Sequence, residues 1–85
     1  MPPFPEPRIE GRAKSVSRDD IRILTALAQR DMRHSIGWAV PVERIEVHDR
    51  NHVAVVYSYG GSTYWLPMKR INGVWVPPPL GVTVT

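Results

Sequence analysis

Between residues 43 and 76 apolar and polar side chains alternate with a period of two, and turn signals cut that alternation into short pieces. Ile45 and Val47 alternate with Arg44 and Glu46 in a strand predicted over 43–48, and a loop follows at Asp49, Arg50 and Asn51. The β-branched and aromatic run 52–59 is the second strand. Gly60-Gly61 is a two-residue hairpin signal, 62–71 the third strand, and Asn72-Gly73 a strong type I′ signal before a fourth strand at 74–77. Each turn sets a register, and a slip of one residue would send every side chain to the opposite face. Pairing His48 with His52, Tyr59 with Ser62 and Ile71 with Val74 gathers Ile45, Val47, Val53, Val55, Tyr57, Tyr64, Leu66, Met68 and Trp75 on one face. Pro67 has no amide to give an interior strand, which predicts a bulge, a bend or a shortened pairing there.

Ahead of the strands, the spacing predicts a helix over 18–35. Ser17 is placed to cap the first turn and Asp20, three residues on, to reach back to the cap amide; Val16 and Ile21 stand where a hydrophobic staple forms. Asp19 and Asp20 suit the positive end of the helix dipole, and Arg30, Arg33 and His34 the negative end. Ile21, Ile23, Leu24, Leu27, Ala28 and Met32 form an apolar stripe wide enough to pack on a sheet, with Arg18, Arg22, Gln29, Arg30 and Arg33 opposite. Gly37 reads as the left-handed residue after the helix, with Trp38 folding back toward Met32. The predicted architecture is α+β: one N-terminal helix packed on a four-stranded antiparallel meander, a single domain over 16–85.

Residues 1–15, with four prolines among charged residues, read as a flexible arm, and the prolines form no clear PxxP ligand with a basic anchor. The triple proline at 77–79 ends the last strand, and 82–84 reads as a short edge strand or as a tail. With 85 residues the chain holds one core. The absence of cysteine removes disulfides, thiolate nucleophiles and cysteine zinc sites. No run resembles a membrane span or the apolar core of a secretory signal, so the expected location is cytoplasmic with no membrane partner.

The net charge of +3 is spread evenly, +1 in each of 1–16, 17–34 and 35–85, which weighs against nucleic acid as a partner; such binding would use the helix arginines Arg18, Arg22, Arg30 and Arg33. His48 and His52 stand close to Glu46 and Asp49, yet a surface turn without further ligands does not read as a metal centre, and no cofactor is expected. Asp19 and Asp20 serve the helix start, Asp49 a turn, Glu43 and Glu46 a strand end, and no carboxylate is expected in the apolar interior. The serine and threonine near the glycine hairpin lack a following histidine. No catalytic residue is assigned, and a non-enzymatic module is expected.

The outer face of the predicted sheet is apolar where a one-sided sheet should be polar: Ala54, Val56, Trp65, Pro67, Ile71, Val74 and Val76. One helix cannot cover both faces. The sequence therefore suggests a protein partner or a homodimer seated on Val56, Trp65, Ile71, Val74 and Val76, a profile that small phage or plasmid accessory proteins share. A small ligand held between helix and sheet near Tyr57, Tyr64 and Trp75 is the alternative.

The segments VERIEV, HVAVVYSY and MKRINGVWV, within residues 42–76, resemble the closing sheet of the NTF2-like (SnoaL-like) superfamily. That resemblance implies a curved sheet wrapped round helices to enclose a conical pocket, and in many members a dimer through the outer sheet face. This chain has one convincing helix where that family has several, and none of its catalytic residues carries over.

Overall fold

The computed structural model describes residues 6–78; residues 1–5 of the expected arm and residues 79–85, with the strand or tail considered at 82–84, lie outside the described residues. Five strands surround one helix in chain order: β1 Arg8–Gly11, a 3-10 turn Ala13–Ser15, α1 Arg18–Ser35, β2 Arg44–Asp49, β3 His52–Tyr59, β4 Ser62–Ile71 and β5 Val74–Val76. They form one sheet in the order β1-β2-β3-β4-β5. The α+β class agrees with the sequence, and the strand count is five rather than four.

The additional strand is β1, drawn from residues assigned to the arm. Arg8-Ile9-Glu10 carries the same polar–apolar–polar alternation as Arg44-Ile45-Glu46, and the two segments pair in parallel, Ile9 beside Ile45. Because β1 and β2 run the same way, the chain between them must cross over, and α1 is that crossover. Gly11 ends β1 with a φ of +82°, and a Cβ there would strike the Val47 carbonyl. The bare backbone lets the next residue, Arg12, donate its amide to that same carbonyl at 3.0 Å.

The meander follows the predicted registers with one change. Val47 still faces Val53 and Ile45 faces Val55, but Asp49 rather than His48 stands opposite His52, so His48 is the extra residue of a bulge. The cause is local: the Asp49 carboxylate accepts the Asn51 amide at 2.8 Å, an Asx turn that makes Asp49 the last paired residue. Tyr59 faces Ser62 and Ile71 faces Val74, as expected. Both glycines of the first hairpin, and Asn72 and Gly73 of the second, have positive φ, the type I′ signature.

Pro67 sits in a continuous β4, opposite Ala54. The Arg70 amide donates to the Asn51 carbonyl at 2.8 Å. Counting in twos from that bond makes Ala54 and Pro67 a pair that exchanges no hydrogen bonds, so the Pro67 nitrogen points away from β3. On that side β5 pairs only with residues 69–71. Proline is tolerated because no strand among the described residues asks it for an amide.

The helix is capped as predicted: Asp20 N donates to Ser17 Oγ at 3.1 Å and Ser17 N to Asp20 Oδ2 at 2.9 Å, with Gly37 left-handed beyond the other end. Leu24, Ala28 and Met32 are completely buried against Ile45, Val53, Val55, Tyr57, Leu66 and Met68. Each large side chain removed from water in this layer contributes roughly 1.5–3 kcal/mol. Two details differ from the sequence reading. Ile23, assigned to the stripe, is half exposed, because at 100° per residue it stands a full step outside the arc centred on Leu24 and Ala28. Val40, rather than Trp38, packs on the core after the helix, its amide 3.3 Å from Met32 Sδ.

Candidate functional site

Three regions carry chemistry. The first is the outer face of the sheet. Ile71 is 50% exposed, Val74 62% and Val76 39%, a contiguous apolar corner across β4 and β5. Beside it lies a cavity of about 570 Å³, walled by Ala54, Pro67, Ile71, Val76, Pro77 and Pro78, with His48, His52 and Lys69 at its polar end. Val56, grouped with this surface in the sequence, is 0% exposed, lying between Arg44 of β2 and Trp65 of β4. It supports the face from beneath and offers no contact of its own. Trp65 is half-buried.

At the opposite side of the same face Arg44 gathers three glutamates: Nε lies 2.9 Å from Glu46 and 3.4 Å from Glu10, and Nη1 lies 3.7 Å from Glu43. Arg8 adds a 3.7 Å contact to Glu10. Three carboxylates thus share two guanidinium groups, while the cavity end carries Lys69, His48 and the His52–Asp49 pair. Of the two histidines there, His52 donates from Nδ1 to Asp49 at 2.9 Å, which fixes its tautomer because a carboxylate only accepts. The Asn51 amide and His52 hold the Asp49 carboxyl below its ordinary range. Among the described residues no group of three or more His, Asp or Glu is arranged to hold a metal ion.

The second region is the first turn of α1. Asp20 faces the sheet and collects the Ser17 amide, the Trp75 indole Nε1 at 3.0 Å and Arg70 Nη1 at 3.3 Å to each oxygen. Arg70 also donates to the carbonyls of Ser15 and Arg50, and its guanidinium carbon lies 4.4 Å from the Trp75 ring centroid. Burial pulls the Asp20 carboxyl upward, but the Ser17 amide, Trp75, the Ser17 side chain and the Arg70 charge outweigh it and hold the group below 3.8. Trp75, expected beside Tyr57 and Tyr64 in a ligand pocket, is here bonded to Asp20 and stacked with Arg70.

The third region is the other end of the same helix face. Asp31 is 1% exposed, and among the described residues neither carboxylate oxygen has a hydrogen-bond partner. A polar group stranded in this way costs about 1–3 kcal/mol, and an ionised one more. The expectation that no carboxylate lies in the interior fails here. Asp31 is seven residues after Leu24, about 20° round the helix from it, and so sits in the middle of the buried arc. That periodicity was available in the sequence. Tyr57 and Tyr64, directly paired across β3 and β4, stack with ring centroids 5.4 Å apart. Burial, the Asp31 charge and Tyr64 together push the Tyr57 hydroxyl up from its ordinary value. Two residues further along the same face, Tyr59 meets Trp38 at 5.7 Å.

Arg18, Arg22, Arg30 and Arg33 are all exposed on the solvent side of α1, Arg22 paired with Asp19 at 3.0 Å. No described helix is long and apolar enough to cross a membrane. Comparison with protein-family models, curated proteins and solved structures finds no match to this chain.

Proposed function

We propose that the chain is a non-enzymatic interaction module that associates through the outer face of its sheet, and that the partner seated there is a second copy of itself. The supporting observation is the apolar corner of Ile71, Val74 and Val76 beside the cavity, with Trp65 and Pro67 continuing it along β4. Large side chains gain nothing by standing in water at an edge strand, and burial of such a patch is the main drive to association.

The charges favour a second copy over an arbitrary partner. One end of the face carries Glu10, Glu43 and Glu46 against Arg8 and Arg44, and the other carries Lys69, His48 and His52 with its partner Asp49. A two-fold axis through the apolar strip sets the glutamates of each copy against Lys69 of the other, and such isologous contact needs only one self-complementary surface.

Solution mass, measured by light scattering across a concentration series, tests this. Wild type should be a dimer, and Ile71→Lys with Val74→Lys should be a monomer with an unchanged fold, since both side chains are exposed. A wild type that stays monomeric at high micromolar concentration, or a double variant that stays dimeric, overturns the proposal.

A further inference from the structure

Asp31 is a buried carboxyl group on the inward face of α1, where leucine, alanine and methionine are its neighbours in the core, and nothing among the described residues bonds to it. An apolar residue would suit that position better for stability, and breaches of local rules of this kind concentrate at sites of function. The sheet that faces this end of the helix is aromatic. Tyr57 and Tyr64 stack at 5.4 Å with planes 24° apart, and at the outer end of the same face Trp38 rests on Tyr59 while remaining 57% exposed. A carboxyl group at the inner end, the stacked tyrosines of the facing strands and an exposed indole at the outer end thus share one end of the helix–sheet layer.

We propose that this end of the helix–sheet layer binds an organic cation, a primary or methylated ammonium group, with Asp31 as its counter-ion and Tyr57 and Tyr64 as its walls. An ammonium group satisfies the carboxylate by charge and is drawn to aromatic faces by their quadrupole, whereas a neutral or anionic molecule gains neither. A divalent metal is the wrong occupant, because it requires several oxygen or nitrogen ligands and Asp31 stands alone. The site is closed as described, with Asp31 shut off from solvent. Entry requires movement of the irregular segment 36–43, which leaves the helix at the left-handed Gly37 and carries Trp38. This site faces the helix and is independent of the outer face proposed for association.

The test uses the full chain with methylammonium and tetramethylammonium, and neopentyl alcohol as a neutral molecule of similar shape. Both cations should shift the Tyr57 and Tyr64 resonances saturably at millimolar concentrations and raise the melting temperature, with neopentyl alcohol inert. Asp31→Asn should abolish the response while melting no lower than wild type, and Tyr64→Leu should weaken it about tenfold. The Ile71→Lys and Val74→Lys double variant should respond as wild type does, which separates this site from the association surface. A response to neopentyl alcohol equal to that of the cations, a response surviving Asp31→Asn, or no saturable response to either cation overturns the proposal.

Discussion

At its first turn α1 turns Asp20 toward the sheet and meets an indole, a guanidinium group and its own cap amide; eleven residues later, about three helical turns, the same face turns Asp31 toward the sheet and meets nothing that can bond to it. The residue type, the helix and the facing sheet are the same. The difference lies in what β3, β4 and β5 present. At the Asp20 end β4 supplies Arg70 and β5 supplies Trp75, whereas at the Asp31 end the sheet offers the stacked rings of Tyr57 and Tyr64. One end therefore fastens the fold and the other is a liability to it, so equal substitutions at the two aspartates should have effects of opposite sign.

The largest expected effect is at the fastened end. Asp20→Ala removes half of the capping box, strands the Trp75 indole and takes the carboxylate partner from the Arg70 guanidinium, which should destabilise the chain by about 3 kcal/mol. Urea melts should show a lower midpoint with an unchanged slope. A loss under about 1 kcal/mol would mean that Arg70 is held well enough by the Ser15 and Arg50 carbonyls alone.

Next is Gly11→Ala, which approaches the same end from the chain that leads into it. Arg12 bonds Val47 and Ser15 receives Arg70, so the path out of β1 is part of what positions the first turn of α1. A methyl at Gly11 would strike the Val47 carbonyl from a backbone conformation that disfavours it, with an expected cost of about 2 kcal/mol. Hydrogen exchange should locate the loss at the Arg8 and Arg12 amides, leaving the Tyr57 and Tyr64 end protected.

The third effect is at the other end and is favourable. Asp31→Leu places an apolar side chain where an unbonded carboxyl stood, and should stabilise by about 1–2 kcal/mol. A destabilised Asp31→Leu would show that Asp31 is satisfied in solution and would erase the contrast between the two ends.

How far this contrast can be read from the sequence depends on the range of each interaction. The capping box, the two glycine-bearing hairpins and the alternation of 43–76 are local patterns, and the helix, the meander and its inner face follow from them. β1 is four residues whose partner lies 36 positions downstream, and its alternation is too short to stand out from a proline-rich neighbourhood. The bulge at His48 turns on an Asx turn competing with a plain two-residue loop. The bonds from Arg70 to Asp20, 50 residues apart, exist only once sheet and helix have met, whereas the inward setting of Asp31 needed only the helical period. On the outer face the apolar residues were legible, but the burial of Val56 beneath its neighbours depends on cross-strand packing that alternation does not describe.

The smallest effect distinguishes Asp20 by its titration. Its carboxyl ionises more readily in the fold than in the unfolded chain, where its ordinary value is 3.8. Near and below that pH the unfolded state binds more protons, so the stabilisation that Asp20 gives is complete above about pH 4 and is lost as pH falls through the lower folded value. Asp49 is shifted the same way and adds a slope of its own, but its carboxyl is at the surface and its partners are the Asn51 amide and the exposed His52. Melting temperature against pH should therefore fall for wild type as pH drops below about 4, and fall less steeply for Asp20→Asn. Asp49→Asn should change the curve less than Asp20→Asn does, because its partners, the Asn51 amide and His52, are exposed and lie within three residues of it in the chain. If the two variants flatten the acid limb equally, the Asp20 carboxylate has no more hold on the fold than a turn residue, and the fastened end of the helix owes its order to Arg70 and Trp75 themselves.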